Sequence, residues 1–121
     1  MCVGFVYATV EVTNITGGGA KYAVPFLVDT GATDTVIPAS ELDKIGVKRE
    51  FKGSYELANG TIVSYDTGFA FVNINGKKVA ANVVFGDENN KPLLGVTVLE
   101  SAGLMVDPVH QVLRKLEAIP L

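Results

Sequence analysis

Apolar and polar positions alternate along most of the chain in short runs rich in Val, Ile, Phe, Tyr and Thr, punctuated by glycine and asparagine. That pattern predicts strands joined by tight turns. Val3 to Thr13 reads as a long strand, Gly17-Gly18-Gly19 as its turn and Tyr22 to Val28 as the returning strand. Phe51 to Leu57 and Thr61 to Tyr65 bracket Ala58-Asn59-Gly60, and Thr67 to Asn75 and Lys77 to Phe85 bracket Asn75-Gly76. Asn-Gly between two such runs is a strong hairpin signal, because both residues tolerate the positive φ that the turn needs. Helical spacing is confined to Ala39 to Gly46 and to Val96 to Leu104, each with a glycine placed to end it, Gly46 and Gly103. A polar loop at Asp87 to Lys91 precedes Pro92-Leu93-Leu94-Gly95, a buried strand whose glycine permits close backbone approach. Leu104 to Pro108 and Gln111 to Leu113 predict a terminal strand pair bent at Pro108. The expected class is mostly β with one or two short helices, in a single domain over 1–121.

One stretch breaks the alternation. In Pro25-Phe26-Leu27-Val28-Asp29-Thr30-Gly31-Ala32-Thr33-Asp34-Thr35-Val36-Ile37-Pro38 an apolar run delivers an aspartate into a glycine-containing turn and resumes as a β-branched run. A carboxylate held between apolar strands loses hydration, so such a charge is usually paired, ligated or used. Asp66-Thr67-Gly68 repeats the tripeptide, but it follows Ser64-Tyr65 and runs into alternating Phe69 to Ile74, the pattern of an ordinary half-exposed strand.

A length of 121 residues suits one domain able to bury a core without disulfides or metal. Ten basic against thirteen acidic residues give a net charge of −3, and the basic residues are scattered, which offers nothing to nucleic acid or an anionic membrane face. Lys48-Arg49, Lys52, Lys77-Lys78 and Arg114-Lys115 read as solvated turns or strand faces. Cys2 is the single cysteine, at the frayed start of a strand, so no intramolecular disulfide or cysteine zinc cluster forms. No basic-then-apolar leader and no membrane-length apolar run are present, and the expected compartment is the cytoplasm. The triple glycine lacks the Gly-Lys-Ser/Thr sequel of a phosphate loop. The lone His110 leaves serine or cysteine nucleophiles without a base and zinc without ligands. Asp87-Glu88-Asn89-Asn90 lacks the ligand spacing of a calcium loop and reads as solvated.

Asp29-Thr30-Gly31 in its apolar frame, the Asn59-Gly60 hairpin, and Leu93-Leu94-Gly95 leading into a short helix stand in the order that resembles a retropepsin-like aspartic protease. The short single-lobe type of archaea and bacteria, with a similar tail, is the nearer match. The resemblance implies a closed, barrel-like acid-protease fold that works as a homodimer, with no cofactor and an extended peptide or protein as substrate. It implies that Asp29 of each subunit activates the water, that Thr30 braces the turn across the dimer and that Gly31 presents backbone. Ala32 and Asp34 would line the cleft, and the hairpin at Asn59 and Gly60 would close over the peptide. Val36, Ile62 and Leu93 are candidates for side-chain pockets, though each also fits plain core. Two positions depart from the retroviral form: Thr33 replaces an acidic residue and Val96 an arginine, so the ion pair made there is missing. The tail beyond Val106 is also longer, which predicts rearranged terminal strands.

Water-mediated peptide hydrolysis needs two carboxylates sharing one proton. Asp29 and Asp66 lie too close in sequence to belong to separate lobes of about 100 residues each. A twofold dimer instead sets Asp29 against the same residue of its partner. Two alternatives remain open on sequence: a silent dimer that binds peptides or a protein partner, and a protease that processes only itself or a fusion partner.

Overall fold

A computed structural model describes residues 5–116; Cys2 and the first residues of the predicted opening strand lie outside them. Strand β1 (Tyr7–Asn14) turns Val10, Val12 and Asn14 inward and pairs antiparallel with β2 (Tyr22–Val28), in register from Tyr7 with Leu27 to Val12 with Tyr22. The glycine turn between them is pinned by Asn14, whose side-chain amide donates to the carbonyls of Gly18 at 2.7 Å and Ile45 at 2.9 Å. The triple glycine is therefore a structural turn, with Gly17 and Gly19 at positive φ.

Beyond β2 come β3 (Thr35–Pro38), α1 (Ala39–Lys44), β4 (Phe51–Glu56), β5 (Ile62–Ile74), β6 (Lys77–Gly86), β7 (Leu93–Leu94), α2 (Val96–Ser101), β8 (Leu104–Asp107) and β9 (Val112–Lys115). Gly46 and Gly103 follow the two helices at φ of +81° and +71°, the left-handed geometry that ends a helix.

The two segments expected around Tyr65 and Thr67 form one 13-residue strand, β5. Continuity follows from a change of partner: β5 pairs with β4 as far as Thr67 and with β6 from Thr67 onward. Gly68 makes the crossing possible, since a Cβ there would stand 2.2 Å from the Lys48 carbonyl oxygen.

Pairing runs β1-β2-β7-β3-β6-β5-β4 across a seven-stranded sheet, and β1 also pairs with β5, so the succession of pairings returns to its start. Val10, Phe26, Ile37, Val72, Val83 and Leu94 fill the enclosed space, and Leu42 of α1 and Leu99 of α2 join them. Fully burying each such side chain contributes on the order of 1.5–3 kcal/mol.

The terminal strands β8 and β9 pair antiparallel as a separate two-stranded sheet. Asp107 organises their turn: its Oδ1 accepts from the backbone N–H of Val109 and His110 at 3.0 and 3.1 Å, and Oδ2 meets the Arg114 guanidinium and, at 2.8 Å, His110 Nδ1. Chiefly Arg114, then His110, hold the Asp107 carboxyl far below the usual carboxylate range. His110 sits exposed in this turn and not within a strand.

Candidate active site

Strand β7 is only two residues long, yet it separates β2 from β3, which are neighbours in sequence. It runs parallel to β2, matching Leu27 to Leu93 and Val28 to Leu94, and meets β3 antiparallel at Val36. The connection from Asp29 to Asp34 therefore bulges around the end of β7. Its backbone is held from both sides: Asp29 N–H donates to the Leu94 carbonyl at 3.1 Å, and Val96 N–H donates to the Ala32 carbonyl at 2.8 Å. Gly95 closes the packing, because a Cβ on it would come within 2.5 Å of the Thr33 oxygen and the Asp34 carbonyl carbon. Its N–H donates to the hydroxyl of Thr35, a fully buried side chain, at 3.0 Å.

Within this frame the Asp29 carboxylate is half-buried and accepts the Gly31 N–H at 2.9 Å on Oδ1, while Ala32 N–H closes onto the Asp29 carbonyl at 3.1 Å. The turn thus aims the carboxylate along its own glycine. Thr30 and Gly31 are exposed in the single chain, so the turn stands at an open surface, not in the apolar enclosure its flanking runs suggested. Of the apolar residues before Asp29 only Phe26 is buried, while Leu27 and Val28 are half-buried, so the run does not enclose the turn that follows it. Phe5 and Tyr7 lie beside the end of β2, 72% and 52% exposed, with Tyr7 opposite Leu27 and the Val6 carbonyl accepting from Val28 N–H.

The second Asp-Thr-Gly has a different fate. Asp66 lies within β5, and its two carboxylate oxygens are taken by Lys52 and Arg49, each at 2.8 Å. Lys52 first and Arg49 next hold its pKa below the ordinary 3.8. Arg49 also reaches Asp43 at 2.8 Å and stacks its guanidinium 4.6 Å from the centre of the Phe85 ring. Asp66 is thus a structural ion-pair centre.

Asn59 and Gly60 occupy the tip of the β4–β5 hairpin, where Thr61 N–H donates to Asn59 Oδ1 at 2.9 Å and Gly60 takes φ of +84°. Leu57 and Ile62 flank that tip and are exposed, Ile62 by 63%. Among the described residues no hydrogen bond joins the tip to Asp29. The hairpin is tied to the site loop lower down, by the Tyr55 hydroxyl donating to Asp34 Oδ2 at 3.2 Å. Burial and then the Asp34 charge raise the Tyr55 pKa above 10.0. Tyr55 can adopt this posture because residue 53 is glycine; a Cβ there would lie 2.9 Å from the ring. Sequence patterning missed Tyr55, and the one signal that bore on it was the glycine interrupting an otherwise bulky strand. Val36 and Leu93 are half-buried partners in the β3–β7 pairing, so they border the site loop from below, whereas Ile62 stands apart on the hairpin.

Thr33 and Val96 form no ion pair, and Thr33 is held by backbone and hydroxyl bonds. Thr97 donates to the Thr33 carbonyl twice, from its N–H at 3.3 Å and its hydroxyl at 2.9 Å. The loop is fastened to α2 without a charge.

Residues 15–101 match the model of the family described as gag-polyprotein putative aspartyl protease. The chain belongs to that family. The match opens directly after β1 and ends with α2, so it takes in the Asp29 loop, the β4–β5 hairpin and the β7–α2 unit. Strand β1 and the β8–β9 hairpin lie outside the matched span. The retropepsin-like reading of the three ordered landmarks agrees with this membership. No curated protein matches the chain.

Proposed function

We propose that the protein is an aspartic endopeptidase assembled as a homodimer, its ring of strands forming one barrel-like half of the enzyme. A water bound between Asp29 and the Asp29 of a second copy attacks an extended peptide. One carboxylate takes the water's proton while the other, protonated, hands its own to the carbonyl oxygen; close carboxylates share a proton in this way, and aspartic proteases are the standard instance. The observation that carries this reading is the asymmetry between the two Asp-Thr-Gly copies. Asp29 keeps its carboxylate at an open edge, where among the described residues its one hydrogen bond is from the Gly31 N–H, whereas Asp66 is neutralised by two cations. With one of the two Asp-Thr-Gly carboxylates left without a cation, where the chemistry needs two, a twofold pair is the economical source of the second.

Thr30 then faces the partner, Gly31, Ala32 and Asp34 meet the peptide, and the hairpin carrying Asn59 and Gly60 closes over it and excludes water. Backbone hydrogen bonds to an added extended strand supply affinity, and alternate side chains supply specificity. The test is to incubate a denatured-proteome peptide library with wild type, Asp29→Asn and Asp66→Asn from acidic to neutral pH, reading new termini by mass spectrometry. Cleavage by wild type and Asp66→Asn, strongest below neutrality and absent with Asp29→Asn, is the expected result. Equal silence of all three leaves a peptide-binding dimer, and loss with Asp66→Asn alone reverses the choice of motif.

A further inference from the structure

The tip of the β4–β5 hairpin and its base are held very differently. From Glu56 to Ile62 every residue is exposed, and among the described residues the hydrogen bonds of this stretch stay within the hairpin. Leu57 N–H donates to the Thr61 carbonyl at 2.8 Å, Gly60 N–H donates to the Leu57 carbonyl at 2.9 Å, and Glu56 pairs with Ile62. A segment with exposed backbone bonds and no buried side chain belongs to the low-stability end of a fold.

Just below it stand two tyrosines. Tyr55 of β4 and Tyr65 of β5 lie diagonally across the strand pair, with Gly53 opposite Tyr65, and their ring centres are 6.2 Å apart. Each hydroxyl leaves the hairpin for a carboxylate on a different loop: Tyr55 donates to Asp34 at 3.2 Å and Tyr65 to Asp87 Oδ2 at 2.9 Å. Both loops are fixed in turn. The Thr97 hydroxyl donates to the Thr33 carbonyl beside Asp34, and Glu88, beside Asp87, accepts the Ser40 N–H at 2.9 Å where α1 begins. The Asp87 bond raises the Tyr65 pKa, as burial raises that of Tyr55, so both phenols stay protonated and donating from acid to neutral pH.

We propose that Tyr55 and Tyr65 are the hinge of this hairpin, positioning residues that fix its base and set the level above which residues 56–62 swing. Tyrosine suits the task because its ring is stiff and a phenol bonded to a carboxylate makes a charge-assisted bond. Anchored to two loops, the base resists the rotation that a single tether would permit. The hinge follows from the tethers alone; that it governs a peptide beneath the tip rests on the protease reading. With the base seated, the tip has less freedom to lose on covering a peptide, so the tethers strengthen binding and leave the Asp29 chemistry untouched.

Geometry and cutting are measured separately. In a Cys2→Ser background, nitroxides are placed at Thr61→Cys on the tip and Glu100→Cys on α2, labelled chains are diluted into excess unlabelled ones, and double electron-electron resonance gives the spread of distances. Tyr55→Phe with Tyr65→Phe is expected to widen that spread at least twofold, while a second label pair, Lys77→Cys at the β5–β6 turn with Glu100→Cys, keeps its own. An unchanged spread at Thr61, or equal widening at Lys77, overturns the hinge; Tyr55→Phe decides alone if the pair does not fold. In cleavage assays without labels the same replacements are expected to raise KM at least fivefold and keep kcat within twofold. A fall in kcat at constant KM overturns the positioning role. A wild type that cuts nothing removes the hydrolytic reading and leaves the distances to decide the hinge, whereas cutting beside unchanged distances removes the hinge alone.

Discussion

At the scale of single residues, identical tripeptides acquire opposite roles from their neighbours. Asp29 meets a backbone N–H at an open edge, and Asp66 meets Arg49 and Lys52 on the flank of a long strand. Because those cations lower the Asp66 pKa in the folded chain, its protonation is resisted more there than in the unfolded chain. The stability it contributes is present above the ordinary 3.8 and is lost as pH falls below it. Asp107, held low by Arg114, and Glu88, held low by Ser40, act in the same direction. Thermal unfolding followed by circular dichroism should show Tm falling steeply under acid in wild type, and less steeply in Asp66→Asn. Tyr55 belongs at this scale too. Tyr55→Phe removes one half-buried bond to Asp34, and urea unfolding should report a loss of about 1 kcal/mol with an unchanged slope.

Among the elements, the two-residue strand β7 has consequences out of proportion to its length. It is clasped between β2 and β3, and Gly95 lets the site loop lie against it without a gap. Gly95→Ala would press a methyl onto backbone that cannot yield, so a loss of about 3 kcal/mol or failure to fold is expected in denaturant titrations. Thr35→Val keeps the shape but strips the acceptor from Gly95 N–H, and about 1–3 kcal/mol should be lost in the same measurement. Leu93-Leu94-Gly95 was legible in the sequence as a strand with a close-packing glycine, and both Asn-Gly hairpins and both helices were legible from spacing and turn chemistry. The insertion of β7 between its partners was not, because strand order depends on residues far apart in the chain. Nor was the fusion of two expected strands into β5, since a change of partner at Thr67 leaves the alternation untouched. In the site, frame alone separated Asp29 from Asp66. Arg49 and Lys52 read as solvated charges because nothing local ties a lysine on one strand to an aspartate on the next.

For the whole molecule, the open edge at Asp29 and the exposed Phe5 and Tyr7 beside it leave a surface that a second copy would cover. Specific activity should then rise with protein concentration, tracking the dimer fraction from sedimentation velocity. Replacing Phe5 and Tyr7 together by aspartate should lower both, with activity regained at high concentration. A net charge of −3 is small enough not to oppose association of two copies.

The clasp at β7 also sets a time order on the ribosome. Leu94 and Val96, which hold the loop from Asp29 to Ala32, are synthesised long after it, and such distant pairings form late because their closure entropy is met before any contact rewards it. A nascent chain can complete the β1–β2 hairpin, but its aspartate has no frame until the last third of the domain has emerged. Any hydrolysis this protein performs therefore waits until the chain has been made at least through Val96 and folded back onto the loop.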